Sequence, residues 1–391
     1  MTKIVIISLG LTLVSFGMSY EKFKQYTLTH AKRLQKQSLL LQETQEKNTI
    51  LLRSKNPTLN LETSRFNPEQ TDASFGYSVI ASQSIRTGNF YGSLEDKANA
   101  NTLLQKAYAT QGKAGYVKTL EKLYTEYVYQ SKLLTLLQEE YTLSNKVTKI
   151  VEERYKNGSE NKVAYLQAKT NTLTLKTQIY RTKQEMNRRY YQLLSMAGLK
   201  KRVRLDKTFI YPVSLQTDIG TKVNPKKQIL SAKTKILESQ IRMNESSIEE
   251  IELYGGIEDE PDQSILRVGV TMRLPIFNNK SEEKRVAQLQ KQQLLLEKEQ
   301  LDIEIHAQTM MLKSSIRELS NQYTTLKTLK TEQHALNTLL QEGYKIAQSS
   351  IFVMMSAQNK LIQTQKALLQ TQKMINNQKI ELRFIQGEYN D

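Results

Sequence analysis

The chain has 391 residues, and its 56 Lys and Arg against 39 Asp and Glu give a formal charge of +17. It contains no Cys, no Trp and three His, with 15 Gly and 6 Pro. Disulfide scaffolds, thiol chemistry and cysteine-based metal sites are excluded, and an α/β enzyme would need more Gly and Pro for its turns.

Lys3 precedes an apolar run from Ile4 to Phe16, and Gly17-Met18-Ser19 follows, ahead of Glu21 and Lys22. Small residues then stand at the −3 and −1 positions of a cut after Ser19, the layout of a secretory leader. The run is about 13 residues, whereas a spanning helix needs about 20. A leader over 1–19 and an exported mature chain without a transmembrane helix are expected.

No proline lies between Pro68 and Pro212 or after Pro275. Interior proline costs about 3 kcal/mol in a helix, so such runs suit very long helices. The pattern predicts helices over 90–155 and 161–196 around one turn, and over 280–344 and 351–385 around another. At 1.5 Å per residue the longer ones would reach roughly 100 Å. Their apolar stripes are narrow, for example Leu120, Leu123, Tyr127, Leu134 and Leu137, which suits coiled-coil seams better than a globular core. The basic residues are spread among Gln, Thr, Glu and Asn. The densest group, Lys200, Lys201, Arg202, Arg204 and Lys207, sits in no recognisable nucleic-acid module, so no nucleic-acid partner is expected.

Between the helices lie short alternating segments. Leu266, Val268, Val270, Met272 and Leu274 alternate with Arg267, Gly269, Thr271 and Arg273. Phe75, Tyr77, Val79 and Ala81 alternate similarly, with Ile80 out of phase, and 58–66 and 251–257 are their expected partners. Alternation over about 9–10 residues fits an outer-membrane barrel strand, but also an antiparallel sheet on a soluble core. Context favours the barrel: no other strands are evident to cover these four, and open edges are not tolerated in lipid. Four strands cannot close a barrel alone, so protomers must associate.

The chain also repeats itself. Tyr155-Lys156 stands 13 residues before Ala168, as Tyr344-Lys345 stands 13 before Ala357. The first repeat covers 20–199, with strands near 58–67 and 74–84 and a turn near 156–160. A linker follows over 200–225. The second repeat covers 226–391, with strands near 250–257 and 264–274 and a turn near 345–350.

With Leu274-Pro275-Ile276-Phe277-Asn278 leaving the last strand, and the Tyr155…Gly158-Ser159…Ala168 and Tyr344…Ala357 turns, the sequence resembles the TolC-type outer-membrane efflux proteins. The resemblance implies a mainly α fold with a small antiparallel β part. It implies a homotrimer in which each subunit gives four strands to a 12-stranded outer-membrane barrel, above an α-helical barrel through the periplasm. It further implies a periplasmic adaptor and an inner-membrane pump as partners, with the adaptor docking on Tyr155, Gly158 and Ser159 and on Tyr344, Ala347 and Gln348. Placing Ala357 on the family's alanine puts its constricting acidic positions at Val353 and Ser356 and a basic one at Ser349. No carboxylate lies between Gly343 and Lys360, so an apolar throat is expected here.

No chemistry competes with a passive duct. There is no Gly-rich phosphate loop, and His30, His306 and His334 each stand alone on polar stretches, so no metal or cofactor is expected. The acidic run 258–262 reads as a solvated outer turn. The leading reading is an exit duct of a tripartite efflux or type I secretion system. The other is an exported coiled-coil adaptor or chaperone without a pore.

Overall fold

The structure, a computed structural model, describes residues 18–67, 72–214, 222–346 and 348–390. Most of the 1–19 leader therefore lies outside the described residues, as does Ala347.

The first repeat comprises α1 (Tyr20–His30), α2 (Lys32–Leu52), β1 (Thr58–Phe66), β2 (Ser74–Arg86), α3 (Gly88–Lys156) and α4 (Lys162–Ala197). The second comprises α5 (Pro225–Glu245), β3 (Glu250–Glu260), β4 (Gln263–Met272), α6 (Ser281–Lys345) and α7 (Ile351–Ile385). The proline-free stretches form the 69-residue α3 and the 65-residue α6. One helix was expected before β1; it breaks at the buried Ala31, whose extended conformation (ψ 114°) separates α1 from α2. No described helix is long and apolar enough to cross a membrane.

Two compact units divide the chain. One contains Lys113–Lys222 and His306–Asp391 together with the N-terminal segment to Gln35. Its largest apolar cluster gathers Tyr20 and Phe23 of α1, Leu120, Tyr124 and Val128 of α3, Leu193 of α4 and Leu205 of the linker. Each such side chain contributes about 1.5–3 kcal/mol when removed from water. Amid these groups lies Glu121, 1 % exposed. Tyr20 donates a hydrogen bond to it at 3.0 Å, Tyr211 at 2.7 Å and Tyr389 also, with the Lys24 ammonium at 3.4 Å. A buried carboxylate is tolerable only with such partners, and these come from both ends of the chain and from the linker. Burial, with Glu121 beside them, pushes the Tyr20, Tyr211 and Tyr389 hydroxyls well above the usual tyrosine range.

The other unit, Lys36–Gly112 and Val223–Ile305, contains one antiparallel sheet in the order β1-β2-β3-β4. β2 and β3 run further than the alternation indicates, whereas β4 ends at Met272, short of the expected 274. Of the acidic run 258–262, expected as a solvated turn, Pro261 and Asp262 do form the exposed turn, but Glu258, Asp259 and Glu260 continue β3 and pair with Ile265, Ser264 and Gln263. Arg267 pairs with Glu258 and Ser264 donates to Asp259, which lets carboxylates stay in the ladder.

Candidate functional site

The sheet register sorts most of its side chains by polarity, with Asp259 on the apolar face and Ile80, Tyr254 and Ile265 on the polar one as exceptions. One face carries Leu59 and Leu61 opposite Ala81 and Val79, then Ile257 and Gly255, then Leu266 and Val268. Leu253 with Val270 and Ile251 with Met272 complete it. The other carries Asn60, Glu62, Ser78, Ser82, Glu252, Glu258, Arg267 and Thr271. A sheet on a soluble core would cover the first face and open the second. Here the apolar face is open as well: Leu266 is 76 % and Val268 81 % exposed, and Phe75, Tyr77 and Val79 are exposed too. All five strand residues expected toward lipid, Leu266, Val268, Val270, Met272 and Leu274, are exposed.

The polar face is the tight one. A Cβ on Gly256 would stand 2.3 Å from the Val79 carbonyl oxygen, so glycine is required there, while one on Gly269 would displace the Tyr254 side chain. Ile80 pairs with Gly256, and its side chain fills the space there, which explains its break in phase. At ten residues, β4 matches the 9–11 residues of a tilted membrane strand. Past β4, Leu274, Ile276 and Phe277 are exposed, the last fully, while Phe75 and Tyr77 lie toward the hairpin end. Among the described residues β1 and β4 each have only one neighbouring strand, so each leaves an unpaired edge.

The helix turns form the second region. After α3 the chain reverses through Gly158 at φ 73°. Ser159 donates to the Arg154 carbonyl at 2.8 Å and Gly158 to that of Tyr155 at 3.1 Å, a Schellman closure that needs the left-handed residue. Asn161 then caps α4, accepting from the Ala164 N–H at 2.8 Å. Gly158 and Ser159 are exposed, and the Tyr155 ring stacks in parallel on Tyr165 at 5.7 Å. The second turn closes differently: the Gln348 and Ser349 N–H groups both donate to the Gly343 carbonyl, and Ser350 caps α7.

Two expectations for that turn need correction. Tyr344, expected to meet a partner, is only 5 % exposed; its ring lies under Arg154 and it holds the turn from within. Ser349, expected at the throat, is half-buried and donates to the Leu340 carbonyl at 2.9 Å. Ile351, Met354 and Met355 pack with Val151, Ala164 and Ala168. Val353, Ser356, Phe352 and Gln348 are exposed.

Compared with known proteins, the chain matches no family model and no curated protein. Solved structures do match. The outer-membrane channel OprN superposes with a TM-score of 0.77 at 11 % identity, over 95 % of this chain and 90 % of that one. CusC gives 0.77 at 16 % identity over 94 % and 91 %. VceC of Vibrio cholerae gives 0.78 at 12 % over 94 % and 95 %. The fold is that of the TolC-type outer-membrane channels. It has the mainly helical architecture and the four-stranded antiparallel contribution that the resemblance implied. Among the described residues, no group of three or more His, Asp or Glu is arranged to hold a metal ion.

Proposed function

We propose that the protein is an outer-membrane exit duct: three copies join their sheets edge to edge into a 12-stranded barrel, and their helices line a tunnel on the periplasmic side. The observation that carries this is the open apolar face on a sheet of membrane-spanning length with two unpaired edges. In lipid such edges are tolerable only if paired, and equivalent sheets offer β1 of one copy to β4 of the next. The duct performs no bond chemistry and takes its energy from a pump. The adaptor docks on the exposed residues Tyr155, Gly158, Ser159 and Gln348, with Tyr344 stiffening the turn beneath. The resting throat is apolar at Val353, with Ser356 one turn further on the same helix face. Nothing in the chain selects between small solutes and secreted proteins as cargo. The coiled-coil adaptor reading gives the open apolar sheet face no role.

Because the chain has no Trp, single substitutions give clean optical probes. In vesicles containing brominated lipid, Val270→Trp should be quenched and Thr271→Trp should not. Quenching of neither would contradict the membrane barrel.

A further inference from the structure

Met18 is built into the fold. It pairs in parallel with Leu205 of the linker. Its N–H donates to the Arg204 carbonyl at 2.7 Å, and its carbonyl accepts from the Asp206 N–H at 3.0 Å. Its side chain packs against the Tyr20–Phe23–Leu120 cluster. Ser19 follows in extended conformation as the N-cap of α1, its carbonyl accepting from the Phe23 N–H at 3.0 Å and its hydroxyl facing the Lys22 N–H at 3.5 Å.

A leader cut after Ser19 removes both residues. The bridge to the linker is lost, and the cap is lost with it. The new α-ammonium then falls on Tyr20, a buried residue at the first position of α1, where free N–H groups and the positive end of the helix dipole already stand. A cut two residues earlier avoids all of this. The new ammonium sits on Met18 and still donates to the Arg204 carbonyl, while Ser19 goes on capping. The sequence permits it, since Ser15 and Gly17 present small residues at −3 and −1 as Gly17 and Ser19 do for the later cut.

We propose that the leader is removed between Gly17 and Met18, by a leader peptidase that reads small side chains. Water adds across that amide, and the C–N bond breaks. Gly17 leaves with the leader as a carboxylate, and Met18 keeps the nitrogen as an ammonium. The retained residues Met18 and Ser19 tie the mature N-terminus to the linker. This inference rests on the export reading, but not on the barrel or the pore.

The test is the intact mass of the chain purified from the outer membrane of its host, with two leader variants. The expected mass corresponds to residues 18–391; a chain beginning at Tyr20 overturns the proposal. Ser15→Leu blocks only the cut after Gly17, and Ser19→Leu blocks only the cut after Ser19. The 18–391 product should therefore be lost in the first, leaving the chain uncut or beginning at Tyr20, and should persist in the second; the reverse pattern overturns the assignment. An uncut wild-type chain in the outer membrane would overturn this inference but not export, absence of the chain from that membrane would overturn the export reading, and a cut at Tyr20 leaves export intact.

Discussion

The Arg154 guanidinium lies 4.4 Å from the centre of the Tyr344 ring and donates to the Tyr344 carbonyl at 3.3 Å. The Tyr344 hydroxyl in turn donates to Glu160 at 3.4 Å. The two helix turns of a protomer are thus joined by one aromatic residue. A partly desolvated cation–π contact contributes about 0.5–2 kcal/mol. Arg154→Ala should therefore loosen both turns: residues 151–160 should exchange amide hydrogens faster, and the reconstituted trimer should show a higher resting conductance. Unchanged exchange would mean the tie contributes nothing.

The sheet makes a paired prediction. Val270→Arg places a charge on the open apolar face, where about 2–4 kcal/mol is lost at mid-membrane. Thr271→Arg falls on the other face, directly opposite Glu252. The first variant should assemble poorly into heat-modifiable oligomers, and the second should assemble as the wild type does. Equal damage from both would contradict the face assignment.

For the throat, Val353→Asp should make the channel cation-selective in planar bilayers and open to block by divalent cations from the periplasmic side, because a ring of carboxylates would replace apolar contact. The wild type should resist that block. Block of the wild type at micromolar divalent cation would contradict an apolar throat.

Two buried carboxylates behave oppositely. Glu121→Ala leaves three tyrosine hydroxyls and Lys24 without their acceptor, and should cost about 3–5 kcal/mol in stability. Glu140 is buried against Gln358, and burial raises its pKa above the ordinary carboxylate range. A raised pKa means that the folded state binds the proton more tightly than the unfolded state does. Stability therefore falls as the pH rises through that window. Glu140→Gln should raise the melting temperature at pH 7, by about 1 kcal/mol of stability, and flatten the acid side of the profile. A melting temperature at pH 7 no higher than wild type would contradict this.

What the sequence revealed follows the range of its signals. Alternation and the absence of proline are local, so the strands and the long helices were legible. Ile80 broke the pattern for a reason visible only in the pairing, because its space is provided by Gly256, 176 residues away. The Glu121 tie was invisible for the same reason, since Tyr20, Tyr211 and Tyr389 meet only when both chain ends and the linker fold onto α3. The acidic run read as a turn because its neutralising partners, Arg267 and Ser264, lie across the hairpin. Tyr344 matched a turn motif, but a motif carries no information about which side chain the turn buries.

The central claim, that neighbouring copies join β1 to β4, meets its most direct test in a chain that has no native cysteine. Leu61→Cys on β1 can be combined in turn with single cysteines at 264–272 on β4 and oxidised in intact outer membranes. The account predicts that at least one combination yields covalent dimers and trimers, with trimer the largest product. Absence of any interchain product at all nine positions, with the protein present in the outer membrane, would contradict it.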